Sequence, residues 1–172
     1  MKFLECDLEE IIMKSRLNDL QDRGLEIEGH RKNQLRIGNY GIADIVTYSK
    51  EPITDYVNGK NYLHDWIPKI TVYELKKDKV SLSTFAQGID YIRGIQDYFN
   101  SIGRDINEYR WELVLIGREV DKNSCIAYLP DLITSSDRGC LELKIFEYNY
   151  DIDGLYFKEA YGYYLIKKGF KI

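Results

Sequence analysis

Histidine, cysteine and long apolar runs are all scarce in this 172-residue chain, and each scarcity removes a class of function. His30 and His64 are the only histidines, isolated from each other and in no H-E-x-x-H pattern, so they do not make a zinc site. Cys6, Cys125 and Cys140 are odd in number and scattered, which argues against a disulfide framework and against a zinc knuckle. They are expected to be free thiols. No serine sits in a G-x-S-x-G elbow. No apolar run is long enough to span a bilayer, and the opening "MKFLECDLEE" turns acidic at once, unlike a secretory signal. The cytoplasm is the expected location, with no membrane partner. Positive charge is also short: 24 Lys and Arg against 28 Asp and Glu give a net charge of −4. That argues against coating nucleic acid by charge alone, yet leaves room for an enzyme whose cation site is itself acidic.

What is present belongs to a soluble globular chain, with 44 % apolar and 30 % charged residues. The length predicts one domain over residues 1–172 with a sizeable core. Fifteen tyrosines are many for this length, and half-buried sheet positions account for them. No repeat, linker or low-complexity tract interrupts the chain.

Leu4, Leu8, Ile11, Ile12 and Leu20 recur at helical spacing and predict one helix from Phe3 to about Asp22, closed by Gly24. Leu25 to Ile37 reads as one or two strands, with a turn at Gly38-Asn39. Tyr40 to Ser49 reads as a strand, and Lys69 to Lys77 as another. The polar stretch between them, Lys50 to Pro68, reads as a connection holding a small hairpin at Asn58-Gly59. Leu82 to Ile102 is a helix with Phe85, Ile89, Ile92, Ile95, Phe99 and Ile102 on its apolar side. Arg110 to Glu119 is a strand, "AYLPDLITSSD" a short helix or loop, and Leu141–Tyr150 with Leu155–Ile166 a final hairpin across "DIDG". The order predicts an α/β fold: a mixed central sheet flanked by helices, αβββαβ, plus a C-terminal hairpin. The core is expected over about 3–120, an insertion over 50–68 and the extra strands over 139–170.

Within "YGIADIVTY", Asp44 stands among strand formers, where a carboxylate costs free energy unless compensated. A turn, a buried ion pair or a metal site would each account for it. "ITVYELKK" places Glu74 and Lys76 on one face of the next strand. The pattern is weak alone, because Glu-x-Lys arises by chance on the order of once in a chain of this size. It recurs at Glu142 and Lys144, where Asp131 and Asp137 nearby lie in turn-like text and no strand-borne acid precedes it. An ordinary ion pair explains either copy taken alone. Antiparallel neighbours would set Asp44 beside Glu74, two like charges that need a positive partner, and Mg²⁺ or Mn²⁺ suits all-oxygen ligands. Gln87 and Tyr91 lie one helical turn apart on the following helix, as do Glu5 and Glu9 on the first. Asp7 and Glu10 read as solvated helix charge.

The ordered set, "LECDLEEII", "GLEIEGHRKNQLRIGNYGIADIV" and "ITVYELKKDKVSLSTFAQGIDYI", resembles the PD-(D/E)XK nuclease superfamily over about residues 4–93. The likeness is closest to the RecB-like branch and the catalytic domain of the NucS (EndoMS) endonucleases. The resemblance implies a restriction-endonuclease-like core and a Mg²⁺- or Mn²⁺-dependent endonuclease acting on DNA. It implies that Asp44, Glu74 and the Leu75 carbonyl hold the cation, with Glu5 or, second, Glu9 as the helix glutamate. Lys76 would position or activate water and offset phosphate charge. Gln87 and Tyr91 would orient the site and touch the DNA backbone, and Gly41 would let the backbone pack close. Arg31, Lys32, Arg36, Lys77, Lys79 and Arg93 are candidates for backbone contacts, with solvated surface charge as the ordinary alternative. The 50–68 stretch is longer than the turn the family pattern has, and the N-terminal DNA-binding and pairing domain of NucS proteins has no counterpart in the matching text. The rival expectations are a nuclease-like fold kept as a silent binding or interaction subunit, and an enzyme acting on RNA or within a larger complex. A homodimer would let two sites reach both strands.

Overall fold

The structure is a computed structural model and describes residues 4–130 and 141–160. Its centre is a six-stranded mixed sheet in the order β1 (His30–Ile37), β2 (Gly41–Val57), β3 (Lys60–Leu75), β5 (Arg110–Gly117), β7 (Leu141–Asp151) and β8 (Gly154–Glu159). β1, β2 and β3 pair antiparallel, β3, β5 and β7 parallel, and β8 antiparallel to β7. Two short strands, β4 (Lys79–Val80) and β6 (Glu119–Val120), pair beyond the ends of β3 and β5. The predicted α/β sandwich with a terminal hairpin is therefore observed, and the part of that hairpin expected after residue 160 lies outside the described residues.

The central parallel strands are covered on both faces and read accordingly as continuous apolar text. Every residue of β5 from Trp111 to Gly117 is buried. On one face α3 (Leu82–Ser101) lies over Ile70, Val72, Leu113, Leu115, Leu143 and Ile145. It comes close at Gly88, where a Cβ would sit 2.5 Å from a Leu113 methyl. Ile102, expected on the apolar side of this helix, is half exposed just past its end. On the other face α1 (Glu5–Lys14) and α2 (Leu17–Asp22) cover Ile45, Tyr73, Leu75, Val114, Ile116 and Phe146.

Three element boundaries differ from the sequence reading. The first helix is two, because Ser15 and Arg16 turn extended between them. Arg31 takes up the carbonyls this break exposes, donating to Ile12 O at 2.5 Å and Ser15 O at 3.0 Å. Residues 50–68 are not a separate connection but the outer part of β2 and β3, which pair with each other out to Val57↔Lys60. Asn58 and Gly59 close this ribbon, both at positive φ (52° and 80°), as a tight two-residue hairpin turn requires. The strand expected from Leu25 starts only at His30, although Leu25 and Ile27 are buried.

The face under α1 and α2 carries a charged network at its far end. Glu112 is 4 % exposed and lies 3.0 Å from Lys69 Nζ and 2.6 Å from Lys144 Nζ, while the Thr71 hydroxyl donates to it at 2.8 Å. Lys69 also meets Glu51 at 2.6 Å. Burial alone would raise the Glu112 pKa, but the two ammonium groups outweigh it and hold the carboxyl below its ordinary value. Removing one member of such a set strands the others. Glu112→Ala is expected to cost about 3–5 kcal/mol in urea unfolding at neutral pH, and Glu112→Gln less, since an amide oxygen still accepts.

Candidate metal centre

The pairing of β1 with β2 runs on to Ile37↔Gly41, whereas that of β2 with β3 stops at Ile45↔Tyr73. The first residues of β2, Gly41 to Asp44, therefore lie apart from β3, and a fork opens at the C-terminal end of β3. The departing hairpin leans onto α3, where two glycines make room for it. A Cβ on Gly94 would meet Ile37 at 2.5 Å and Tyr40 at 2.6 Å. Gly41, at φ 122°, would put a Cβ 3.0 Å from the Tyr91 ring.

Asp44, Glu74 and Lys76 meet at this fork. Asp44 Oδ2 accepts from the Leu75 N–H at 2.8 Å. The Glu74 side chain is 1 % exposed; Oε1 lies 2.6 Å from Lys76 Nζ, and buried Oε2 has no hydrogen-bond partner among the described residues. Lys76 Nζ is also 3.6 Å from Glu5 Oε1, and Glu5 Oε2 accepts from the Lys77 N–H at 3.2 Å. On α3, Gln87 Nε2 donates to the Tyr91 hydroxyl at 2.6 Å.

The charges feel one another. Burial raises the Glu74 pKa to about 7, and the Asp44 and Glu5 carboxylates add to the rise against the pull of Lys76. Burial also raises Asp44; the Leu75 amide and Lys76 oppose it, and Glu5 and Glu9 reinforce it. For Lys76 burial favours the neutral amine, but Glu74, Glu5 and Asp44 outweigh burial and keep its pKa above the ordinary value. Tyr91 is raised by burial and by the nearby Glu74 and Asp44 charges. Three carboxylates thus share one ammonium, and the surplus is negative.

The donor set fits a hard divalent cation. Glu74 offers an unbonded oxygen, and Asp44 a second carboxylate. In a strand the N–H and C=O of one residue point to the same side, so the Leu75 carbonyl is turned toward Asp44 with its amide. Among the described residues no three His, Cys, Asp or Glu side chains are grouped closely enough to hold a metal by themselves. Two carboxylates, a carbonyl and water are the ligands available, the kind of shell Mg²⁺ keeps.

The remaining predicted residues divide. Glu5 reaches the site, whereas both oxygens of Glu9 are taken by the side-chain amides of Asn33 and Gln34. Arg31 is spent on the end of α1, and Lys79 pairs with Glu119 at 3.1 Å. Neither is free for a nucleic-acid backbone in this arrangement. Lys32, Arg36 and Arg93 are exposed, and Lys77 is half-buried beside the fork. The second Glu-x-Lys pair is an ordinary ion pair: Lys144 is 3.4 Å from Glu142 and closer to Glu112. Asp131 and Asp137 lie outside the described residues. Sequence reasoning missed the Glu9 clamp on β1 and the Tyr148 hydroxyl, which donates to the Lys77 carbonyl at 2.6 Å.

A buried carboxyl with a raised pKa stabilises the fold while protonated and loses that contribution as the pH rises. For Glu74 the window runs from its ordinary 4.5 to about 7. In metal-free buffer the loss across that window is about 3 kcal/mol. Glu74→Gln escapes it, so denaturant unfolding at a series of pH values is expected to show the variant gaining that much on the parent chain between about pH 4.5 and 8, with added Mg²⁺ narrowing the gap.

No protein-family model, no curated protein and no solved structure matches the chain.

Proposed function

We propose that this chain is a divalent-cation-dependent nuclease that hydrolyses phosphodiester bonds in DNA. The observation that carries the reading is the unbonded, buried oxygen of Glu74 beside Asp44 and an ammonium group. Two neighbouring carboxylates, of which only Glu74 is paired directly with the Lys76 amine, would be stabilised by a cation that completes the set. Such a constellation at the end of a strand is what hydrolysis of a phosphodiester needs. Asp44, Glu74 and the Leu75 carbonyl would hold Mg²⁺ or Mn²⁺. The bound cation supplies a water of lowered pKa and a polarised P–O bond.

The chain's own residues do the rest. Lys76 is held protonated, so it serves as a hydrogen-bond donor and not as a base. It orients the attacking water and offsets charge that grows on the phosphate oxygens. Glu5 anchors that ammonium and, through the Lys77 N–H, the chain leaving β3. Tyr91, fixed by Gln87 and close against Gly41, lines the fork. Lys32, Arg36, Lys77 and Arg93 are the cations left to meet the DNA backbone.

The alternative of a silent, nuclease-like binding subunit differs in one measurable respect, the affinity for metal. Calorimetry of the parent chain is expected to show Mn²⁺ binding in the millimolar range or tighter, and absence of binding there favours the silent subunit. Asp44→Ala and Lys76→Ala are each expected to lower Mg²⁺-dependent cleavage of labelled DNA by about 10²-fold or more, with the far-UV spectrum unchanged. Parental rates in either variant would reject the assignment. Single-strand, duplex and RNA substrates run side by side decide which polymer is cut.

A further inference from the structure

We infer that Gln34 and Glu9 are positioning residues: Glu9 holds Gln34 in a left-handed backbone conformation, and that kink in β1 turns the facing Asp44 carboxylate into the fork. The functional consequence rests on the nuclease reading above, but the geometry does not.

Both strands change sides at one level. In β1, Arg31 and Asn33 reach α1, whereas Leu35 and Ile37 belong to the cluster under α3. A regular strand, with its period of two, would keep all four on one face. In β2, Ala43 lies in the α3 cluster and Ile45 in the α1–α2 cluster, although two residues apart. Between the pairs Asn33↔Ile45 and Leu35↔Ala43, the Gln34–Asp44 level has no ladder pair. Gln34 is at φ 48°, one of two positive-φ positions outside glycine among the described residues; the other is the hairpin turn residue Asn58.

Side chains of a regular strand stand perpendicular to the sheet. Asp44 instead reaches sideways to the Leu75 N–H, a backbone donor two residues beyond the last β2–β3 pair. The reversal of both strands at Asp44 supplies that freedom. A left-handed backbone at a non-glycine residue costs about 1–2 kcal/mol and persists where its surroundings impose it. Glu9 does so from α1. Its Oε2 accepts from Gln34 Nε2 at 2.5 Å and its Oε1 from Asn33 Nδ2 at 3.0 Å. The two helix glutamates thus divide the work: Glu5 sets Lys76, and Glu9 sets the kink that sets Asp44.

The test uses the whole chain, with two readouts. Amide exchange of Leu75, followed by NMR without metal, reports where the Asp44 carboxylate is; exchange at Leu113 in the core reports global stability. Mn²⁺ calorimetry reports the site. Gln34→Gly loses the amide that Glu9 holds but also removes the cost of positive φ, so it is expected to fall between the parent and Gln34→Val in both. Gln34→Val opposes positive φ and favours a flat strand; Glu9→Ala removes the clamp. Both are expected to speed Leu75 exchange about tenfold relative to Leu113 and to weaken Mn²⁺ about tenfold, the equivalent of one lost hydrogen bond. Parental Leu75 protection in Glu9→Ala, or in a folded Gln34→Val, overturns the inference, as does Gln34→Gly behaving like Gln34→Val. If the parent binds no Mn²⁺ while Leu75 still responds, the positioning stands and the metal reading falls. If the parent binds Mn²⁺ and both variants bind it equally, the positioning falls alone.

Discussion

The Glu74 side chain is buried, with one oxygen on Lys76 and the other without a hydrogen-bond partner among the described residues. Leaving a buried acceptor unmet costs about 1–3 kcal/mol, and a second carboxylate close by adds to the cost. A chain tolerates such a group in one of two ways: it protonates, or a cation arrives. The rise of its pKa to about 7 leaves the carboxyl partly protonated near neutral pH, and the cation proposed above would compete with that proton for one oxygen. The other parts of the site work within that competition. Lys76 partly neutralises the pair while leaving Glu74 Oε2 without a hydrogen-bond partner among the described residues.

The architecture places this group where a ligand can reach it. In sheets with parallel strands, ligands collect outside the carboxyl ends of the strands, where neighbouring segments diverge. β3 and β5 run parallel and stay paired through Leu75↔Ile116, while β2, antiparallel to β3, departs at Asp44. The divergence has a packing cause. The β1–β2 end is drawn to α3 by Ile37, Tyr40 and the glycines beneath them, while its base is tied to α1 by Arg31 and Asn33. Helices on opposite faces pull one hairpin in opposite senses, and the strand breaks its alternation between them.

Much of this was legible in the sequence because it follows local periods. Continuous apolar text marked the central strands, Glu74 and Lys76 announced a shared face, and the i, i+4 spacing of Gln87 and Tyr91 announced their contact. The 50–68 ribbon escapes a sequence reading for a physical reason: among the described residues no third strand pairs with it, so little buried surface stamps apolar alternation on its residues. Only Asn58-Gly59 betrayed the turn. The break at Ser15-Arg16 was hidden because Leu20 continues the apolar spacing of α1 across it. Gln34 carried no signal, since a glutamine at positive φ is imposed by its surroundings and not by its own preference. The Lys69–Glu112–Lys144 set joins three strands, and only their register brings it together.

The two Glu-x-Lys pairs show how far a motif goes without its place. β3 and β7 run the same way, and Glu142, at the start of β7, is level through Glu112 with Thr71, short of Glu74 near the end of β3. The two also take opposite faces, since Glu74 follows Val72 under α3 whereas Lys144 precedes Phe146 under α1 and α2. Glu142 remains 43 % exposed, and its lysine turns inward to Glu112. Glu142, Lys144 and Glu112 are joined by ion pairs there. At Glu74 the same two residue types stand where β2 parts from β3: the carboxylate is 1 % exposed and the ammonium 26 %, and one buried carboxylate oxygen has no hydrogen-bond partner among the described residues. The difference lies in the fork that β2 makes by leaving β3, and the motif acquires it only by standing there.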